Sequence, residues 1–290
     1  MTGLHGAELA HHRTMRLQPS RAAIVTALPL LLLAACHRRA VVVETPAPAA
    51  APERGPRFAT GEQVVDAMHE RYAGKWYTTM TFRQKTSRLL SNGKWNVQTW
   101  YEAMKLPGRL RIDFDPVRAG NGVLYARDSQ FVVQNGRMLR GDPGINPLLL
   151  LGFDVYTAPV THTTSRLRRE GFDLSRVHEE TFRGKPMIVV GAWKGDYDRK
   201  QFWIDAERLL FVRMLEPTPR DTTKMQDIRF TGYERRGGGW IAPRVEIWSE
   251  GKLVFYEDYE DIRVDVPLDD ALFIPSRWKT AKHWTTGAAR

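Results

Sequence analysis

Arg109-Leu110-Arg111-Ile112-Asp113-Phe114-Asp115 alternates without a break, with Leu110, Ile112 and Phe114 on one side and four charged residues on the other. Successive side chains of an extended strand point to opposite faces, so this stretch reads as a strand with one dry and one wet face. Its neighbours have the same rhythm. Strands are expected over 78–89, 95–105, 122–126, 129–134, 176–182, 186–193, 200–205, 210–215, 224–235, 240–248 and 252–264. Ser91-Asn92-Gly93, Gln134-Asn135-Gly136 and Glu250-Gly251 lie between such runs and read as hairpin turns. More than ten antiparallel strands, each with an apolar face, must curl over that face or stack into a sandwich. The expected fold is therefore mainly β, a long curved antiparallel sheet with a few helices.

Two segments break the rhythm. Between Gly61 and Gly74, Val64, Val65, Met68 and Tyr72 recur at helical spacing behind Thr60, a suitable cap. Pro147 opens the run Leu148-Leu149-Leu150-Leu151-Gly152-Phe153, which reads as a short helix plugging the mouth of the sheet. Left uncovered, that run would be an apolar patch prone to aggregation or membrane contact.

Upstream, Arg13, Arg16 and Arg21 precede an apolar run from Ile24 to Leu33 that is too short to span a bilayer. Leu33-Ala34-Ala35-Cys36 then matches a lipobox, and Cys36 is the chain's one cysteine. Residues 1–35 read as a lipoprotein signal peptide, and Cys36 as a lipidated anchor, since acyl chains contribute roughly 0.8 kcal/mol per buried methylene. With that thiol occupied, disulfides and thiol chemistry are excluded. Residues 36–57 form a Pro- and Ala-rich tether, 58–278 one domain and 279–290 a flexible tail. The expected location is the cell envelope, facing the periplasm. His37, rather than an aspartate, follows the cysteine, which favours the outer membrane over the inner.

The formal charge of +10 becomes +8 without the leader's three arginines and one glutamate. Such a basic excess suits anionic headgroups or acidic partners; an exported lipoprotein seldom meets nucleic acid, which is not an expected partner. No Gly-x-Ser-x-Gly elbow, phosphate loop or dinucleotide fingerprint occurs. Gly237-Gly238-Gly239 reads as a hairpin tip. His178-Glu179-Glu180 is the one local cluster with metal-ligand residue types, and it lacks a third ligand. Carboxylate pairs such as Asp113 with Asp115, or Glu257 with Asp258, read as solvated strand residues. No enzyme activity, metal or cofactor is expected.

In order along the chain come the lipobox, Val64-Val65-Asp66-Ala67-Met68, Lys105-Leu106-Pro107-Gly108-Arg109-Leu110-Arg111-Ile112-Asp113, Phe202-Trp203-Ile204-Asp205-Ala206-Glu207, Leu210-Phe211-Val212-Arg213-Met214 and Gly239-Trp240-Ile241-Ala242-Pro243. This series resembles the periplasmic lipoprotein-sorting (LolA/LolB-like) superfamily over most of residues 60–275. The resemblance implies a half-open β-barrel of about eleven strands with lid helices, accepting acyl chains of lipids or lipoproteins on its apolar concave face. It places Met104, Leu110, Ile112, Phe114, Val189, Trp203, Met214, Ile228, Phe230, Val245 and Ile247 among the cavity candidates, and gives Arg111 a hydrogen-bonding role between lid and barrel. Strict alternation, however, points Arg111 away from Leu110 and Ile112. The alternative function is a sensor or scaffold that uses the same fold to bind other envelope proteins.

Overall fold

A computed structural model describes residues 57–219 and 221–287; the leader, Cys36 and the tether up to residue 56 lie outside the described residues. Thirteen strands form one antiparallel sheet in the order β6-β5-β4-β3-β2-β1-β15-β14-β11-β10-β9-β8-β7. Its chain order is β1 (Thr79–Leu89), β2 (Trp95–Lys105), β3 (Arg109–Phe114), β4 (Gly122–Ala126), β5 (Ser129–Gln134), β6 (Arg137–Pro143), β7 (Val177–Phe182), β8 (Lys185–Val190), β9 (Gln201–Asp205), β10 (Phe211–Pro217), β11 (Met225–Thr231), β12 (Glu234–Arg236), β13 (Gly239–Ile241), β14 (Arg244–Ser249) and β15 (Lys252–Val264). Strands β12 and β13 form a separate two-stranded hairpin. The long sheet curls without closing, with β6 and β7 as its edges among the described residues, so the fold is a half-open barrel.

Local sequence explains the pairing. Asn135-Gly136 and Glu250-Gly251 all take positive φ, the two-residue turn whose twist suits a tight hairpin. The expected strands 224–235 and 240–248 are each broken in two: Gly232, at φ +73, ends β11, and Pro243 interrupts the second run between β13 and β14.

The hollow of the sheet is filled from one end. Helix α1 (Gly61–Tyr72) buries Val64, Val65, Met68 and Tyr72, with Thr60 Oγ1 accepting the Gln63 amide and Gln63 Oε1 accepting the Ala59 amide. Helix α2 (Pro147–Gly152) starts on Asn146, whose side chain accepts from the Leu148 and Leu149 amides. It buries Leu149, Leu150 and Leu151, with Leu148 partly buried and Phe153 buried just beyond. Helix α3 (Val160–Arg169), which was not expected, buries Thr163, Thr164 and Leu167. Arg166 pairs with Asp128 in the β4–β5 turn and Arg168 with Glu62 of α1, so α3 ties the two ends of the curl together. Leu149 to Leu151 pack with Met104, Leu110, Ile188, Phe202 and Phe230 in one core.

The convex face is covered in two ways. At the β2–β5 end, Leu272, Phe273 and Trp278 pack on Ala103, Leu124, Ala126 and Val133. A Cβ on Gly122 would sit 2.8 Å from the Trp278 ring and 2.0 Å from the Ile112 carbonyl, so only glycine lets the tryptophan lie flat there. Beyond Trp278, where a flexible tail was expected, the chain continues along this face: His283 Nε2 lies 3.3 Å from Asp113 and Trp284 stacks on His283. Farther round, arginines and rings alternate. Arg213 lies over Trp203 and Phe182, Arg229 over Phe182 and Trp248, and Arg244 over Tyr256. Burial alone would raise the Asp227 carboxyl, but hydrogen bonds from Arg213 and Arg229 hold it below its ordinary range. This ladder shields a single-layer sheet from water without a second layer.

Candidate functional site

Cross-strand partners identify which side chains share the hollow. Met104 faces Leu110, Glu102 faces Ile112, and Trp100 faces Phe114 across β2 and β3. Ile228 faces Ile247 and Phe230 faces Val245 across β11 and β14; Ile247 in turn faces Phe255, and Val245 faces Glu257. Met104, Leu110, Met214, Ile228, Phe230 and Val245 are buried under the helices. Ile112 and Ile247 are only partly buried at the margin of that core. Phe114, also partly buried, stacks at a tilt on Trp100 with centroids 4.9 Å apart. Trp100, Ile112, Phe114, Ile247 and Phe255 are therefore half-buried on the concave face, at a margin of the sheet here called its mouth.

Val189 and Trp203 are not part of it. They face each other on the convex side, packed with Met187, Phe182 and Val212. Strands β8 and β9 are buried on both faces, so their apolar runs do not disclose which parity points inward. Arg111 likewise lies on the convex side and does not join lid to barrel. It is 3% exposed, forms a two-pronged bond with Asp113, and donates to the Leu272 and Trp278 carbonyls beneath the Trp278 ring, 3.9 Å away. The supposed wet face of β3 is thus dry here, because the chain after residue 269 lies across it.

The floor of the mouth is polar, which no motif in the sequence announced. Gln84, Thr86 and Glu102 are 1%, 2% and 4% exposed, and Glu257 and Tyr259 are half-buried beside them. The Gln84 amide donates to Thr86 Oγ1 at 2.8 Å, and the Tyr259 hydroxyl donates to Glu257 at 3.1 Å. Glu257 was expected beside Asp258 on a solvated strand, but alternation sends Glu257 inward and Asp258 outward to Arg244. Burial, with the nearby Glu257 charge, pushes Glu102 well above the usual carboxylate range; burial also lifts Glu257 to about 7 against its hydrogen bonds from Tyr259 and Gln84.

Three other features lie elsewhere on the sheet and its plug. Asp154, in the turn after α2, is 3% exposed and accepts the Gly108 amide at 2.9 Å, joining the plug to the β2–β3 turn. Burial raises its carboxyl to about 7. A cleft of about 500 Å³ opens on the convex face between Thr81, Tyr101, Arg263 and Trp284, where Arg83 is already paired with Glu260 and Asp261. His178 Nε2 and Glu180 approach to 3.5 Å, with no third ligand converging on them among the described residues.

No family model and no curated protein matches the sequence. Among solved structures, the chain is similar to a domain named for outer membrane lipoprotein sorting from Vibrio parahaemolyticus, at 14% identity over 76% of this chain and 98% of that one, TM-score 0.49. It is similar to a DUF1329 family protein from Desulfovibrio piger, at 17% identity over 74% and 95% of the two chains, TM-score 0.48. A LolA superfamily protein from Nitrosomonas europaea aligns at 11% identity over 75% and 98%, TM-score 0.46. At these identities the likeness is one of fold alone.

Proposed function

We propose that this protein is a non-enzymatic lipoprotein of the cell envelope, anchored through Cys36 and facing the periplasm, that binds acyl chains of lipids or lipoproteins in the mouth of its half-barrel. The observation that carries this reading is the half-buried wall of Trp100, Ile112, Phe114, Ile247 and Phe255 on the concave face. An acyl chain laid on such a wall leaves water at roughly 25 cal/mol per Å² of apolar surface buried, without any catalytic group. A tethered carrier would receive its cargo at the membrane that holds it. In an uptake assay with an uncharged fluorescent acyl lipid, Ile247→Trp is expected to weaken binding at least about tenfold with an unchanged melting temperature, since a bulkier ring fills space at the mouth. Val97→Trp, on the exposed convex side, should bind as the parent does. Equal uptake by both variants would refute the siting.

A second reading has its own observation. Edge strand β6 is exposed along its whole length, with Met138 53% and Leu139 60% exposed, and it offers unpaired backbone groups to an added strand of an envelope protein.

A further inference from the structure

The polar floor sets a condition on what the mouth accepts. Glu102 is more than nine-tenths buried, faces into the hollow beside Ile112, and has neither a hydrogen bond nor an ion pair to its carboxyl among the described residues. Glu257 has only neutral partners, Tyr259 and Gln84. No cation faces the pair from β1, β2, β3, β4, β14 or β15 within ion-pairing distance. Arg88, on the same side of β1, lies over the Phe255 ring at 5.5 Å, and the remaining titratable groups are the phenols of Tyr125 and Tyr259, each raised by burial and by the Glu102 charge. A buried Glu102 and a half-buried Glu257 that share a face without a cation are unfavourable when ionised, and glutamine would fill the same space without that penalty. A ligand bringing positive charge would offset it.

We propose that the mouth selects amphiphiles carrying a protonated amine, with the ammonium seated between Glu102 and Glu257 and the apolar chain lying over Trp100, Phe114, Ile247 and Phe255. This rests on the acyl-binding reading above and adds a head-group class to it. An ammonium offers three donors and no acceptor, which suits the Glu102 carboxylate, which has no donor, and the lone pairs that Tyr259 and Gln84 leave free on Glu257. Seating it drives the acids to ionise, so binding releases protons and tightens with rising pH, by about tenfold per pH unit for each proton released. A ligand with a carboxylate head would meet like charge, and one with a carbonyl head would need the protonated acid and would bind better at low pH.

The test compares dodecylammonium, dodecanol and dodecanoate, which share one tail, by calorimetric titration below their aggregation limits at pH 6 and pH 8. It uses the full chain carrying Cys36→Ser to prevent lipidation, and the same chain with Glu102→Gln or Glu257→Gln. The expected result is ammonium tightest, by at least about tenfold over the alcohol at pH 8, with the margin shrinking at pH 6 and falling about tenfold in either variant. Either variant suffices should the other fail to fold, and the parent's own order of affinities stands without them. Equal affinities, preference for dodecanoate, or a margin that is flat with pH and unmoved by the substitutions would overturn the head-group assignment while leaving acyl binding intact. Binding of none of the three would overturn both.

Discussion

Replacing Asp154 by Asn should stabilise the protein above neutral pH and have almost no such effect near pH 4. The carboxyl has its pKa raised from 3.8 to about 7 because it is buried in the turn after α2. A folded-state value above the unfolded one means that the folded protein holds the extra proton between those two limits. Stability from this group is therefore highest below pH 4, declines as pH rises, and is lowest once pH exceeds about 7. At 1.36 kcal/mol per pKa unit, about three units correspond to about 4 kcal/mol, an upper bound on the penalty of ionising Asp154 at pH 8. Asparagine keeps the oxygen that accepts the Gly108 amide at 2.9 Å and removes the charge. Its added NH2 borders a pocket of about 20 Å³, room for about one water, and whatever that group costs is independent of pH. Glu102 and Glu257 titrate in both proteins and cancel in the comparison. Urea unfolding of parent and variant at pH 4, 6 and 8 should show the stability difference shifting in favour of the variant by about 3 to 4 kcal/mol across that range. A difference that is constant with pH would refute a buried, ionising Asp154.

The convex face makes its own predictions. Arg111→Ala leaves Asp113, 1% exposed, without its bidentate partner and frees the Leu272 and Trp278 carbonyls. A loss of about 3 to 5 kcal/mol in urea unfolding is expected, whereas Arg111→Met with Asp113→Leu should recover most of it; a loss under about 1 kcal/mol for the single change would contradict the buried pair. Arg229→Met removes the cation from between Phe182 and Trp248 while Asp227 keeps Arg213, and should lower stability by about 1 to 2 kcal/mol. An unchanged unfolding midpoint would show that the ladder contributes nothing.

Strict alternation made the strands around Leu110 legible, and the capped, periodic run behind Thr60 made α1 legible, because in both a single face meets the core. Strand β6 was missed because Arg137 to Pro143 is exposed on both faces and so has no alternation to read. Helix α3 was missed for a related reason: it buries Thr163, Thr164 and one leucine, leaving no apolar stripe. Which side chains face the hollow was legible where strands have one dry face, as at Ile112 and Ile247. It was illegible where both faces are dry, which is why Val189 and Trp203 were sited on the wrong side. Glu102 and Glu257 gave no signal because a carboxylate on an alternating strand looks the same whether its face meets water or a hollow. Arg111 and Asp113 looked solvated for want of any local sign that residues 269–284 would cover them.

The most direct measurement is native mass spectrometry with lipid extraction on residues 57–290 exported to a bacterial periplasm and purified without the anchor. The account predicts a reproducible one-to-one adduct containing an acyl chain, lost in Ile247→Trp. A clean unliganded mass, together with failure to take up an added uncharged acyl lipid or dodecylammonium, would contradict an acyl-binding half-barrel.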